Sequence, residues 1–88
     1  MINKISRTRK FKRLYLSLPG EIQKKFEKQI RMLINDFHYP SLHVKKIQGH
    51  ENIWEARVDI HYRFTFELVQ DTLFLRAIGN HEVVLKNP

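Results

Sequence analysis

Three stretches decide the fold of this chain: Trp54-Glu-Ala-Arg-Val58, Tyr62-Arg-Phe-Thr-Phe66 and Leu75-Arg-Ala-Ile-Gly-Asn-His81. They read as three adjacent strands that carry arginines between large apolar residues and end on a histidine. In the first, Trp54, Ala56 and Val58 share one face, and Ile53, Glu55 and Arg57 share the other, because successive side chains of a strand point to opposite sides. In the second, Tyr62, Phe64, Phe66 and Leu68 alternate with Arg63, Thr65, Glu67 and Val69. Asp59-Ile-His61 and Gln70-Asp71 serve as turns, and the last strand runs from Thr72 to Ile78 and stops at Gly79.

Upstream the spacing is helical. Ile2 to Arg7 is a short strand candidate anchored by Ile2 and Ile5. Ser6 or Thr8 then caps a helix through Phe11, Leu14, Tyr15 and Leu18, whose intervals of three and four keep one stripe apolar. Pro19-Gly20 breaks it. A second helix begins near Pro19, with Glu21 in its first turn and Ile22, Phe26, Ile30, Leu33, Ile34 and Phe37 along one side. It ends before Pro40, because the residue preceding proline avoids the helical region. His43 to Ile47 is a further short strand, closed by Gly49.

This order predicts an α+β domain spanning residues 1–88, with an N-terminal strand and a helical hairpin packed on one face of a mostly antiparallel four- or five-stranded sheet. The hairpin covers the face bearing Trp54, Phe64 and Phe66. The opposite face shows Arg57 and Arg63 to solvent.

Composition narrows the partners. The 88 residues hold 16 Lys and Arg against nine acids, a net charge of +7. That balance points to a polyanionic partner. If about five phosphates are neutralised, affinity falls with salt at a log–log slope of roughly −4.5. Cysteine is absent, which rules out disulfides and thiolate zinc sites and fits a cytoplasmic location. No apolar run reaches the roughly 20 residues of a membrane span. The first residues lack the apolar core of a secretory signal. No membrane partner is expected.

Arginine offers a fixed, always-charged fork for phosphate, and histidine exchanges a proton near neutral pH. Cleavage of RNA by its own 2′-hydroxyl needs three things: the hydroxyl deprotonated, the crowded phosphorane stabilised and the leaving 5′-oxygen protonated. Arg57 and Arg63, on neighbouring strands of the open face, can hold one phosphate; the bland alternative pairs them with Glu55 and Glu67 or has them simply solvate the sheet. His81, just past the last strand, can act as acid or base, or be a plain surface residue. Lys45 and Lys46 point to opposite faces, so one of them reaches the cleft. Arg9, Lys10 and Arg13 belong to a run of five cations within seven residues that reads as a nucleic-acid docking surface or as a solvated helix face. The five histidines form no helical His-x-x-x-His pair, so no metal and no other cofactor is expected.

Taken in order, these segments resemble the RelE/ParE toxin superfamily of bacterial and archaeal toxin–antitoxin systems. The resemblance rests on the N-terminal strand and helical hairpin, Pro40-Ser-Leu42, Lys45-Lys-Ile-Gln-Gly49, Ile53-Trp-Glu-Ala-Arg-Val58, Tyr62-Arg-Phe64 and Ile78-Gly-Asn-His81. It covers nearly the whole chain. RelE-type members cut mRNA in the ribosomal A site, whereas ParE-type members poison DNA gyrase and lack the nuclease residues. The resemblance implies that Arg57 and Arg63 contact the scissile phosphate and that His81 transfers a proton, as in the histidine-bearing nuclease branch. Lys45 or Lys46 falls near the residue that other members use as general base. Many members carry an aromatic shortly after the last strand; here Val83, Val84 and Leu85 stand there, so either Leu85 substitutes by apolar contact or the tail differs. No glutamate stands clearly where one branch keeps its base.

The reading is therefore a metal-independent, ribosome-dependent mRNA endonuclease that inhibits translation. Its partners are a cognate antitoxin, the ribosome and mRNA. A gyrase poison and a non-catalytic nucleic-acid-binding module are the alternatives.

Overall fold

A computed structural model describes residues 2–88. Strand β1 (Lys4–Arg7) leads into helices α1 (Arg9–Leu16) and α2 (Gly20–Asn35). A short 3-10 turn (Pro40–Leu42) precedes β2 (Lys45–Lys46), β3 (Ile53–Arg57), β4 (Tyr62–Val69), β5 (Thr72–Asn80) and a final helix α3 (His81–Lys86). The strands form one five-stranded sheet in the order β1-β5-β4-β3-β2. All neighbours are antiparallel except β1 and β5. The α+β expectation, with its N-terminal strand, helical hairpin and mostly antiparallel sheet, agrees with this architecture. Among the described residues no helix is long and apolar enough to cross a membrane.

The helices start where the chemistry allows. The Thr8 hydroxyl accepts the Phe11 amide at 3.0 Å and so caps α1, while Pro19 precedes α2 and Glu21 complements the positive end of its dipole. Their apolar stripes meet over β4. Phe26 of α2 packs edge-on against Phe64 at 5.1 Å and lies 5.6 Å from Phe11 of α1. Phe11, Leu33, Leu42, Phe64, Phe66, Leu73 and Ile78 are all essentially inaccessible and form the core. Trp54 is only half-buried, edge-on to Phe37.

The two helices are also tied by polar bonds. The Tyr15 hydroxyl donates to Glu27 Oε2 at 2.6 Å. Burial first, and then this bond, push the phenol's pKa up to about 12. A neutral phenol is thus favoured in the folded state, so its contribution to stability is complete below pH 10.0 and disappears between there and about pH 12. Tyr15→Phe should remove that component of the alkaline stability loss. Urea midpoints of both proteins, taken below and above this window, check it. An identical decline in the two would contradict it.

The far side of the sheet differs from expectation. It was predicted to be open to solvent, but α3 crosses it. Val84 is buried, and the Pro88 carbonyl accepts Thr65 Oγ1 at 2.7 Å and Arg76 Nε at 3.3 Å. Glu55, Thr65 and Ala77 are consequently buried on that face. The predicted end of the last strand at Gly79 also moves, to Asn80. A register shift at Thr65/Phe66 sets Thr65 opposite Ala77 but Phe66 opposite Leu75, leaving Arg76 as the extra residue of a bulge.

Candidate nucleic-acid site

Strand pairing assembles the site as two parallel rows on the far face. Register places Arg57 opposite Arg63, and Arg63 opposite Gly79. The adjacent row runs Lys45, Glu55, Thr65 and Ala77. Residues directly opposite on antiparallel strands have Cβ atoms about 4.5–5.5 Å apart, and like charges set there destabilise the sheet. Sheet stability therefore does not explain the Arg57–Arg63 pair.

Each guanidinium is constrained differently. Arg63 donates through Nη1 to the carbonyls of Asp59 at 2.9 Å and Tyr62 at 3.2 Å. The loop that receives these bonds is itself fixed, since Asp59 Oδ1 accepts the His61 and Tyr62 amides at 2.9 Å each. Burial would raise the Asp59 pKa, but these two amides and Lys25 outweigh it and hold the carboxyl below its usual value. Burial, and then the neighbouring Arg57, lower the pKa of Arg63 from its ordinary value. Arg57 Nε is buried and has no hydrogen-bond partner among the described residues. Gln29, a buried polar residue of α2, donates to the Arg57 carbonyl at 2.9 Å and pins the end of β3.

The predicted alternative, in which Glu55 and Glu67 neutralise these arginines, does not hold as stated. Glu67 pairs with Arg76, and Glu55 pairs with Lys45 at 3.4 Å. The Glu55 carboxylate is buried, and its Oε2 has no partner among the described residues. It lies close enough to favour the charged form of Arg63. Sequence reasoning treated Glu55 only as an ion-pair partner on an open face. Its alternation with Arg57 was visible, but its burial follows from α3, which was not foreseen.

Arg57 and Arg63 together line an open cleft of about 300 Å³ with His43, Lys45 and Glu55. Arg63 also lines an adjoining cleft of about 320 Å³ shared with His61, Asn80 and His81. Two arginines and the histidine thus border two concavities that share Arg63 as a wall. His81 is exposed. It was expected on a loop but is the first residue of α3, where Asn80 Oδ1 accepts the Glu82 amide at 3.0 Å and the His81 amide donates to the His61 carbonyl at 3.0 Å. Lys45 and Leu85 share a third cleft with Lys46, on the other side of Glu55. As expected, the two lysines diverge: Lys45 faces Glu55, while the Lys46 ammonium lies 5.5 Å from the Trp54 ring centroid.

The N-terminal cations stand apart from this group. α1 packs over β5, toward the opposite end of the sheet from β2. Lys10 donates to the Asn87 carbonyl at 2.6 Å and shares a depression with Arg76 and Lys86. Arg9 and Arg13 are exposed on α1 and line none of the clefts around Arg57 and Arg63.

No protein-family model matches the sequence, and neither does any curated protein. Solved structures do. A chain of the RelB–RelE antitoxin–toxin complex from Methanococcus jannaschii is 24% identical, with a TM-score of 0.74 over 94% of this chain and 99% of that one. YafQ from E. coli strain BL21(DE3) is 13% identical, with a TM-score of 0.78 over 96% and 98%. The YoeB/ParE toxin from Agrobacterium tumefaciens is 15% identical, with a TM-score of 0.77 over 90% and 99%. What these likenesses share is architecture, and on that ground the chain has the RelE-like toxin fold.

Proposed function

We propose that residues 1–88 form a single RelE-like toxin domain, the toxin of a toxin–antitoxin pair, and that it cuts mRNA on the ribosome without a metal ion. One observation carries this reading. Two arginines oppose each other across β3 and β4 at a cost to the sheet, and the cleft they line adjoins the one lined by His81. The far-face position of Lys45 and the apolar contact that Leu85 offers beside it add to the support.

In the proposed reaction the RNA 2′-oxygen loses its proton and attacks the adjacent phosphorus. The bond from phosphorus to the 5′-oxygen breaks, leaving a 2′,3′-cyclic phosphate and a 5′-hydroxyl. Arg57 and Arg63 neutralise the charge that gathers on the phosphorane oxygens. His81 exchanges the proton, with Lys45 as the lysine placed to assist, and Lys46 held at Trp54. The ribosome supplies alignment of the message, so free RNA should be cut slowly. The antitoxin partner belongs to the same reading, supported by the antitoxin complexes among the structural neighbours, and a cytoplasmic site of action follows from a ribosomal substrate.

Toeprinting of a translated message with purified protein tests it. Wild-type protein should give new A-site ends, with a 5′-hydroxyl on the downstream fragment and a cyclic phosphate on the upstream one, and His81→Ala should reduce the cutting rate by about 10²–10⁴, the range for loss of a general acid or base. Intact messages together with trapped, cleaved DNA would replace the nuclease by a gyrase poison. Salt-sensitive RNA binding without new ends would leave a binding module.

A further inference from the structure

A cleft on the α2 side of the arginine pair has no part in the chemistry above. It encloses about 390 Å³, and its walls include Lys25, Lys28, Gln29, His43, Arg57 and Ile60. Arg57 and His43 also line the arginine cleft, and Ile60 also lines the His81 cleft. Each pair of the three concavities therefore shares a wall residue: Arg57, Arg63 or Ile60.

The geometry points to this cleft as a second nucleotide subsite, which takes the phosphate adjacent along the RNA strand to the one held by Arg57 and Arg63. The inference rests on the RNA-cleaving reading and extends it to a strand path. Three features fit a phosphate with its nucleoside. The walls carry Lys25, Lys28 and Arg57 against one acid, Asp59, whose Oδ2 is engaged by Lys25 at 3.2 Å. Lys28 forms no ion pair among the described residues, so its ammonium is the one available to an incoming phosphate.

The floor is preorganised. Gln29 is only 7% exposed, and it donates to both the Arg57 carbonyl at 2.9 Å and the Ser41 carbonyl at 3.4 Å. That bridge locks the 3-10 turn to the end of β3. His43 follows the turn in the left-handed region at φ 46°, an uncommon conformation for a residue with a side chain. Ile60 supplies the third feature: it is 72% exposed and lines both this cleft and the His81 cleft, where apolar contact with a base would cover it.

Lys28 is the residue to change, because Lys25 also holds the Asp59 loop. The probes are two uncleavable 2′-O-methyl RNAs, a dinucleotide that reaches only the arginine pair and a hexanucleotide long enough to enter the α2 cleft. Affinities are read by fluorescence anisotropy across a salt series. Lys28→Ala should weaken hexanucleotide binding about fivefold and reduce its log–log salt slope by about 0.7. Dinucleotide affinity should not change. Lys28→Glu should deepen the loss, again for the longer probe only.

Unchanged hexanucleotide affinity in Lys28→Glu, in a wild type that cuts messages, would overturn the subsite and leave the nuclease reading standing. Equal losses for both probes would also overturn it, because the cleft would then act only as general positive charge. A wild type that neither binds the probes nor cuts would remove the RNA reading and this inference together.

Discussion

Arg63→Lys should lower the rate of message cleavage by about 10²–10³, the range seen when one preorganised donor to a developing oxyanion is removed. Lysine keeps the positive charge, so a purely electrostatic role would survive the exchange. It lacks the planar fork that lets one group bond a carbonyl cradle and a phosphate together. In this protein the fork is already half committed: Nη1 of Arg63 is spent on the Asp59 and Tyr62 carbonyls, which aims the rest of the guanidinium. A guanidinium carries five N–H donors, and those not on Nη1 are left for the ligand. The measurement is single-turnover cleavage on programmed ribosomes, beside a thermal melt that shows the variant folded. Cleavage within a few-fold of wild type would remove Arg63 from the reacting centre.

Phe64→Ala should destabilise the protein by about 3–5 kcal/mol, the usual loss for a truncated core phenylalanine. For a domain of this size that is a large share of the whole, and it corresponds to a fall in melting temperature on the order of 20 °C. Phe64 is completely inaccessible, edge-on to Phe26 at 5.1 Å and 5.8 Å from Phe66. Its pairing partners across β3 and β5 are Ala56 and Ile78, and α2 presses on it from above. No neighbour is free to swing into the space, so most of the cavity should persist. Near-UV circular dichroism during a thermal melt reads the effect. A drop of less than about 5 °C would mean that helices and sheet do not share this core. Because Phe64 adjoins Arg63 on β4, activity should fall with stability in this variant, whereas Arg63→Lys separates the two.

Alternation is the reason so much of the sheet was legible. Strand β4 alternates aromatic and polar residues from Tyr62 to Glu67, the pattern of a strand with one apolar face in an antiparallel sheet. The hairpin was legible for a similar reason: Phe26, Ile30 and Leu33 fall on one stripe of α2, and Pro19 and Pro40 bracket it. The alternation also put Arg57 and Arg63 on one face of neighbouring strands, whereas the register that sets them directly opposite one another is visible only in the structure. His81 joined them through the family resemblance carried by Ile78-Gly-Asn-His81, because spacing alone left it equally readable as a plain surface residue.

The rest failed for physical reasons. Helix α3 is six residues long and includes Val83 and Val84, which have little intrinsic preference for helix. It forms because Asn80 caps it and because Val84 finds a buried seat on the sheet, and a tertiary contact of that kind leaves no periodic signal in so short a run. Missing it turned the far face into open surface and hid the burial of Glu55. The bulge at Arg76 was hidden too. It breaks the alternation of β5, and Arg76 turns to Glu67 and the Pro88 carbonyl, anchoring the tail instead of joining the arginine pair.

The sheet order bears on how the molecule is made. β5 lies between β4 and β1, and its parallel neighbour β1 is the earliest strand, so the two meet across 68 residues of sequence. A chain emerging from N to C terminus has β1 and the helices exposed long before the strand that joins them exists. Closure across so great a separation is slow compared with local pairing. A chain that stops short of β5 therefore has neither this interior strand nor the histidine that follows it. Whatever chemistry this surface performs begins only after the last strand has been translated and has slotted between its neighbours.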